Sequence, residues 1–424
     1  MRALFISANT ESINMPIIPV GLGAVAASTR NAGHEVELVD LMSVSDTYPI
    51  IKSAIEEFRP DVIGISVRNI DDQNMEEPQF FLEQVKGVVF QCRSFSGTPI
   101  VLGGAGYSIF PESALAYIGA DMGIQGEGEI AFPALLCLME KGADLSGAPG
   151  LYLPGLGLQG KRKFSKNLDP LPLPDAHMWP SDAARDQDLW MPVHTRRGCP
   201  MNCSYCSTSN IEGRIIRKRS PKAVVDAIVG YVEAGFKRFF LTDNTFNIPV
   251  SYARQFCSRL AERQLDISWR CIVYPGHMDE ALVKEMARAG CKEVSLGFES
   301  GCERILQRMN KKFTPEDVRR ASEVLAIHGI RRMGFLLLGG PGETKESVEE
   351  SVAFVDSLGL DAMKITVGIR IYPDTYLART ALKEGMITAH DDLLFPKFYI
   401  VRGLKDWLRE VVSQCMVKRP NWVT

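Results

Sequence analysis

The chain is predicted to be α/β throughout, a doubly wound, Rossmann-like domain followed by a partial (β/α)6 barrel. Three observations predict this. Short apolar runs alternate with helical patterns, the alternation pauses once at a proline-rich stretch and then restarts, and 424 residues exceed what one core comfortably serves. Charge nearly cancels, 48 basic against 51 acidic residues, and no basic tract tracks a phosphate backbone, so nucleic acid is not an expected partner. The opening residues lack the apolar core and cleavage site of a signal peptide, and nowhere do about eighteen uncharged apolar residues run together. A cytoplasmic protein without a membrane span is expected. In that reducing compartment the ten cysteines are not read as disulfides, and Cys92, Cys137, Cys257, Cys271, Cys291, Cys302 and Cys415 are expected to be core or incidental thiols.

The first domain is expected over residues 1–148. Its strands are the apolar runs RALFISA, EVELVDL, DVIGISV, PIVLGG and ADMGIQG, separated by helices such as Gly21 to Asn31 and Phe80 to Arg93. This rhythm demands parallel pairing with right-handed crossovers, and such sheets bind ligands at the carboxyl ends of their strands. Two glycine-rich stretches fall there, Gly103-Gly104-Ala105-Gly106 and Gly126-Glu127-Gly128. They either admit a ligand to the backbone or simply make tight turns into the next helix.

Residues 149–189 read as a connector, a small hairpin in LYLPGLGLQGKRKF followed by the four prolines of NLDPLPLPDAHMWP. The barrel is expected over residues 190–383, with a short C-terminal segment over 384–424. Its six strands are MPVHTRR, RFFLTDN, SWRCIVY, EVSLGFE, RRMGFLLLGG and DAMKITVGIRI, and helix starts are signalled at Ser220-Pro221, Thr314-Pro315 and Thr344. Chemistry in such barrels sits at the strands' carboxyl ends. Those ends carry the Cys199 loop, Asp243 with Asn244, Tyr274, Glu299 with Ser300, Gly339 to Glu343, and Arg370 with Tyr372.

Cys199, Cys203 and Cys206 place three thiols in eight positions after the first barrel strand. Two readings stay open. With His194 they make a Cys3His zinc set. Alternatively they hold a 4Fe-4S cluster, three irons taking thiolates and the fourth left open to a small molecule.

The form C-x3-C-x2-C in CPMNCSYC, with Tyr205 before the last cysteine, resembles the cluster loop of radical S-adenosylmethionine (SAM) enzymes. GFESG at Gly297 to Gly301 resembles that family's fourth-strand element, which implies that Glu299 and Ser300 contact the nucleoside. GFLLLGGPGET at Gly334 to Thr344 resembles its fifth-strand motif and implies that Gly339 and Gly340 lie beside the adenine. The Gly-Gly-Glu element of many members is replaced by Thr242 to Asn244, making Asp243 the nearest substitute for holding the methionine amine, while Arg270, Lys312 or Arg370 would pair the carboxylate. The open iron would chelate SAM, and the reduced cluster would cleave it to a 5′-deoxyadenosyl radical. An electron donor such as a flavodoxin or ferredoxin is implied.

The preceding domain is similar to the cobalamin-binding domain of one branch of that family. The similarity implies a corrin near Ser66, Arg68 and Asn69, with its nucleotide tail passing Gly103, Gly104 and Gly106. The motif that supplies a lower axial histidine is absent and His34 is that domain's one histidine, so base-off cobalamin is expected. The resemblance implies a cobalamin-dependent methyltransferase acting on an unactivated carbon of a small-molecule or lipid-derived substrate. Tyr274, Arg370 and Tyr372 would line its pocket. The alternatives are other radical outcomes, such as ring closure, oxidation or transfer of another part of SAM, and a cobalamin-binding sensor. Methylthiolation of transfer RNA is disfavoured because the cysteines for a second cluster are lacking.

Overall fold

The computed structural model describes residues 1–11, 18–42, 44–179, 183–186 and 188–424, so parts of the opening stretch and of the proline-rich connector lie outside it. The chain forms two compact units. One comprises Met1–Asp72, Gln79–Trp190 and Asn210–Gly213; the other comprises Gln73–Pro78, Met191–Ser209 and Arg214–Thr424.

The first unit is built on strands β1 (Arg2–Ser7), β2 (Glu35–Asp40), β3 (Val62–Ser66), β4 (Ile100–Gly103), β5 (Met122–Ile124), β6 (Leu151–Leu153) and β7 (Gly157–Leu158), in the order β2-β1-β3-β4-β5-β6-β7. The first five are parallel, as the strand-helix alternation requires. β1, β3, β4 and β5 are short and apolar because both faces are covered, whereas the edge strand β2 is partly exposed and carries Glu35, Glu37 and Asp40; Phe5, Val101, Leu22, Ala26, Phe132 and Leu135 share one core beneath the flanking helices. The expected connector hairpin is instead β6–β7, which joins the sheet antiparallel to β5. The pairing gives the three-residue β5 a partner for its outer amides and carbonyls.

The second unit holds β8 (Met191–Val193), a ribbon of β9 (Arg196–Arg197) with β10 (Arg217–Lys218), then β11 (Arg238–Leu241), β12 (Ser268–Val273), β13 (Cys291–Glu299), β14 (Arg331–Leu338) and β15 (Ala362–Val367). A second ribbon pairs β16 (Ile369–Arg370) with β17 (Phe398–Tyr399), and β18 (Trp422–Val423) ends the chain. The main sheet runs β18-β15-β14-β13-β12-β11-β8 with every pair parallel. The six expected barrel strands are all present, and the C-terminal segment adds a seventh.

Alternation fixes which side chains can meet a substrate. Trp269, Cys271, Val273, Val294, Leu296, Phe298, Leu336 and Leu338 are buried and point to the helices. Phe298 stands edge-on to Phe354 of helix Lys345–Leu358 at 6.0 Å, and Trp269 to Phe256 of helix Val250–Glu262 at 6.1 Å. Their neighbours Arg270, Ile272, Ser295, Gly297, Glu299, Phe335, Lys364 and Thr366 are half-buried on the other face. The signalled helix starts are capped as their sequences demand. Ser220 accepts from the Ala223 amide with Pro221 at the first helical position, and Thr314 and Asp317 bond reciprocally.

Candidate functional site

All three loop cysteines carry free thiols, Cys199 buried and Cys203 and Cys206 half-buried. They lie between β9 and the short helix Thr208–Glu212, where the chain has left the sheet but is still held to it. The Ser204 amide donates to the Met309 carbonyl at 2.9 Å, Asn310 Nδ2 to the Asn202 carbonyl at 2.5 Å, and the Leu377 amide to the Ser204 carbonyl at 2.8 Å. The Cys206 thiol donates to Thr208 Oγ1 at 3.2 Å. Burial pushes the Cys203 thiol up from its ordinary pKa, and the Lys311 ammonium opposes this. Among the described residues no three His, Cys, Asp or Glu side chains meet at a point that suits one metal ion, so the zinc set with His194 is not assembled. A multi-iron cluster takes one thiolate per iron and has no such requirement. The donor set, three thiols outside any disulfide on one anchored loop, fits that group.

Glu299 is the polar centre beside the loop. Tyr205 Oη donates to Glu299 Oε1 at 3.0 Å, and Lys311 Nζ donates to the same oxygen and to the Gly297 carbonyl, each at 3.2 Å. Burial pulls the Lys311 ammonium down, but Tyr205, Glu299 and Cys203 outweigh it and hold the pKa well above the usual value. Tyr205 is raised well above its own ordinary value, by burial first and then by Glu299. The Glu299 backbone sits at φ +68, and the pairing of β13 with β14 shifts register between Leu296 and Glu299. The strand end is thus turned so that this carboxylate faces the open side of the sheet. Sequence reasoning chose Lys312, which is exposed with its ammonium on Asn310 Oδ1, and missed Lys311. Adjacent lysines carry no signal for which one turns inward.

Several expected site residues have other occupations. Ser300 points to the helices, because residues alternate along β13; its hydroxyl meets Ser351 Oγ at 3.0 Å and accepts from the Cys302 amide. Asp243 is 1% exposed and its carboxylate accepts from the Thr195 and Arg196 amides, which removes it from the open face. The Arg370 guanidinium is buried and donates to the carbonyls of Ile371, Leu393 and Leu394, holding the C-terminal segment, and it also stacks 5.2 Å from the Tyr372 ring. Arg270 faces the open side but is 3.7 Å from Glu293 and over the Phe240 ring. The Gly339 and Gly340 amides donate to Glu343 Oε2, so they brace their own turn. Burial pushes the Glu343 carboxyl up to about 7 against those two amides. Tyr274 is nearly enclosed, its Oη accepting from the Lys312 amide at 2.7 Å, while Asn247 clasps its backbone on both sides. Tyr372 is half-buried, with its carbonyl accepting from Thr375 Oγ1.

In the first unit two of the glycines at the strand ends let neighbouring loops pack closely. A Cβ on Gly104 would lie 2.5 Å from the Val67 carbonyl oxygen, and one on Gly106 would lie 2.9 Å from that of Arg68. These glycines make room for the β3 loop rather than for a ligand. Gly128 is packed against Val25, the Gly126 amide donates to Ser108 Oγ, and Glu127 accepts from the Ser165 amide. Gly103 has open space beside it, Ala105 is exposed, and Ser66, Arg68 and Asn69 are half-buried at the strand ends. Arg68 Nη1 is buried without a protein partner among the described residues, and burial lowers the guanidinium's pKa. A cation needing acceptors at the carboxyl ends of β3 and β4 fits a large cofactor bearing amide and phosphate oxygens. His34 lies just before β2, at the amino ends of the strands, bonded to the Met1 amine.

Comparison with known proteins agrees with this division. Residues 193–355 match the model of the radical SAM superfamily, and residues 6–136 match that of the B12 binding domain. The chain is 27% identical to an uncharacterized methyltransferase of Pyrococcus horikoshii over 99% of this chain and 91% of that protein. It is 23% identical to tryptophan 2-C-methyltransferase of Streptomyces laurentii, over 89% and 74%. The solved structure of the radical SAM methyltransferase TsrM from Kitasatospora setae, with cobalamin and a 4Fe-4S cluster bound, superposes with a TM-score of 0.81 at 22% identity, covering 90% of this chain and 75% of that one. At that identity the likeness speaks for the fold.

Proposed function

We propose that this chain, which belongs to the cobalamin-binding branch of the radical SAM enzymes, is a methyltransferase acting on an unactivated carbon of a small-molecule or lipid-derived substrate. The observation that carries the reading is the pairing of a B12-binding fold with a radical SAM barrel whose first strand leads into a loop of three closely spaced thiols, none in a disulfide. When bound, the cluster, SAM and cobalamin supply one-electron cleavage of a sulfonium and carriage of a methyl group. The protein's part is to bind, orient and exclude water.

Cys199, Cys203 and Cys206 would hold the cluster. Glu299, pinned by Tyr205 and Lys311, presents a fixed carboxylate on the open face for the polar groups of SAM. The turn at Gly339 and Gly340, strapped by Glu343, gives a flat backbone edge for a purine. Arg68, with Ser66 and Asn69, would meet the cobalamin. His34 lies at the opposite end of the strands, so no histidine of residues 1–148 would reach a cobalamin held by Ser66, Arg68 and Asn69, and base-off binding is the proposed mode. Phe335, Met333 and Ile272, half-buried on the open face, make the floor on which a carbon skeleton can rest. Ten free thiols suit a reducing cytoplasm, where a flavodoxin or ferredoxin would deliver the electrons.

The test is to incubate the reconstituted, reduced protein with methyl-labelled SAM and candidate substrates. Label in a carbon-bound methyl group, together with 5′-deoxyadenosine and S-adenosylhomocysteine, is expected. Deoxyadenosine without S-adenosylhomocysteine or label transfer would replace methylation with another radical outcome.

A further inference from the structure

We infer that Asp243 and Arg196 are positioning residues that set the direction in which the cysteine loop leaves the barrel, an inference that rests on the cluster reading above. Asp243 follows β11 and Thr195-Arg196 follow β8, the neighbouring strand, so the ends of two strands meet here. The Asp243 carboxylate takes three donors from the segment immediately before the loop. They are the Thr195 amide at 2.9 Å, the Thr195 hydroxyl at 2.5 Å and the Arg196 amide at 3.1 Å. Arg196 Nε lies 3.3 Å from the same carboxylate and 3.1 Å from Thr195 Oγ1, and Nη1 donates to the Ile248 carbonyl. Its guanidinium lies 4.5 Å from the Tyr252 ring centre and 5.6 Å from that of Phe246. Thr195, Arg196 and Asp243 are each 2% exposed or less.

That is an expensive arrangement for a turn. A buried ion pair is weak evidence for stability, because apolar residues of similar size commonly serve as well or better. Its particular property is direction: a carboxylate with three donors and a guanidinium set against two rings admits one geometry. The arm it fixes is three residues from Cys199. The other arm is fixed separately, through Asn202, Ser204, Met309, Asn310 and Leu377. The upstream anchor precedes Cys199, and the second grips the loop at Asn202 and Ser204 on either side of Cys203, two residues before Cys206, so the thiols are placed by two anchors and not by the loop alone. Of the two, only the upstream anchor rests on a buried carboxylate.

The full-length protein and the variants Asp243→Ala, Asp243→Asn and Thr195→Val would be purified anaerobically and reconstituted with limiting iron and sulfide. Iron per chain, the paramagnetic resonance spectrum of the reduced cluster, and cobalamin binding are then measured. Asp243→Ala is expected to need about tenfold more iron for half-loading, in the range of outer-shell metal-site changes, and to give an altered spectrum, while cobalamin binding stays at the parent level. Asp243→Asn keeps an acceptor for the two amides and is expected to recover most of the loading. Thr195→Val loses one donor and is expected to cost about fivefold. Parent-like loading and spectrum in Asp243→Ala, or an asparagine variant no better than alanine, would overturn the inference. If Asp243→Ala does not fold, parent-like loading in Thr195→Val would overturn it. A parent protein that takes up no cluster would instead refute the proposed function.

Discussion

Two glycine-rich stretches, Gly103 to Gly106 after β4 and Gly339 to Gly342 after β14, look alike in sequence and differ in what they do. In the first, Gly104 at φ +102 and Gly106 make way for the backbone of Val67 and Arg68, so the glycines allow two strand-end loops to touch. In the second, Gly339 at φ +94 and Gly340 turn their amides onto Glu343, so the glycines allow a side chain to strap its own turn. In both stretches the glycines first serve the packing of the protein's own turns. The polar groups beside them are Arg68 in the first case and Glu299 with Lys311 in the second. A glycine motif therefore marks where the chain is tight, and the polar side chains beside it are the proposed ligand contacts.

The largest loss is expected at the thiols. Cys203→Ala is expected to abolish SAM cleavage while the first unit still folds and binds cobalamin; the assay is deoxyadenosine release alongside the cobalamin spectrum. Retained cleavage would remove the cluster assignment. Next in size, Gly104→Ala puts a methyl group 2.5 Å from a carbonyl oxygen at a left-handed φ, and about 1–3 kcal/mol of backbone strain adds to that clash. Its melting temperature is expected to fall well below that of Gly103→Ala, where the nearest atom is 3.9 Å away.

Glu343 makes the turn after β14 sensitive to pH. Its folded-state pKa, about 7, lies above the ordinary 4.5, so the folded protein holds this proton more tightly than the unfolded chain does. Its contribution to stability is full below pH 4.5 and is lost as pH rises toward 7, a slope of at most about 3 kcal/mol. Denaturant unfolding across that window should show the slope in the parent and a flatter profile in Glu343→Gln. The smallest effect is expected at Lys311. Lys311→Met removes the cation that pins Glu299, and SAM binding to the reconstituted protein should weaken about tenfold with the cluster still loaded.

Much of this was legible beforehand because it depends on periodicity and spacing. The strand-helix alternation gave both α/β units, Ser220-Pro221 and Thr314-Pro315 gave helix starts, and three close thiols gave the cluster loop. The remainder depends on which way a side chain turns at the end of a strand, and a sequence does not carry that. Glu299 and Ser300 are adjacent, yet one faces the open side and the other bonds to Ser351. Asp243 and Arg370 stand at strand ends as expected but are drawn inward by amides and carbonyls of segments distant in sequence. The hairpin at Leu151 joins the first sheet because β5 lacks an outer partner, which is a property of the assembled sheet.

One chain is expected to carry both metal cofactors. Anaerobic purification with reconstituted iron and sulfide and added hydroxocobalamin, followed by counting both metals per chain, tests it most directly. About four irons and one cobalt, with a base-off visible spectrum, are predicted. Cobalt without iron, or a spectrum showing a histidine-ligated cobalt, would contradict the account.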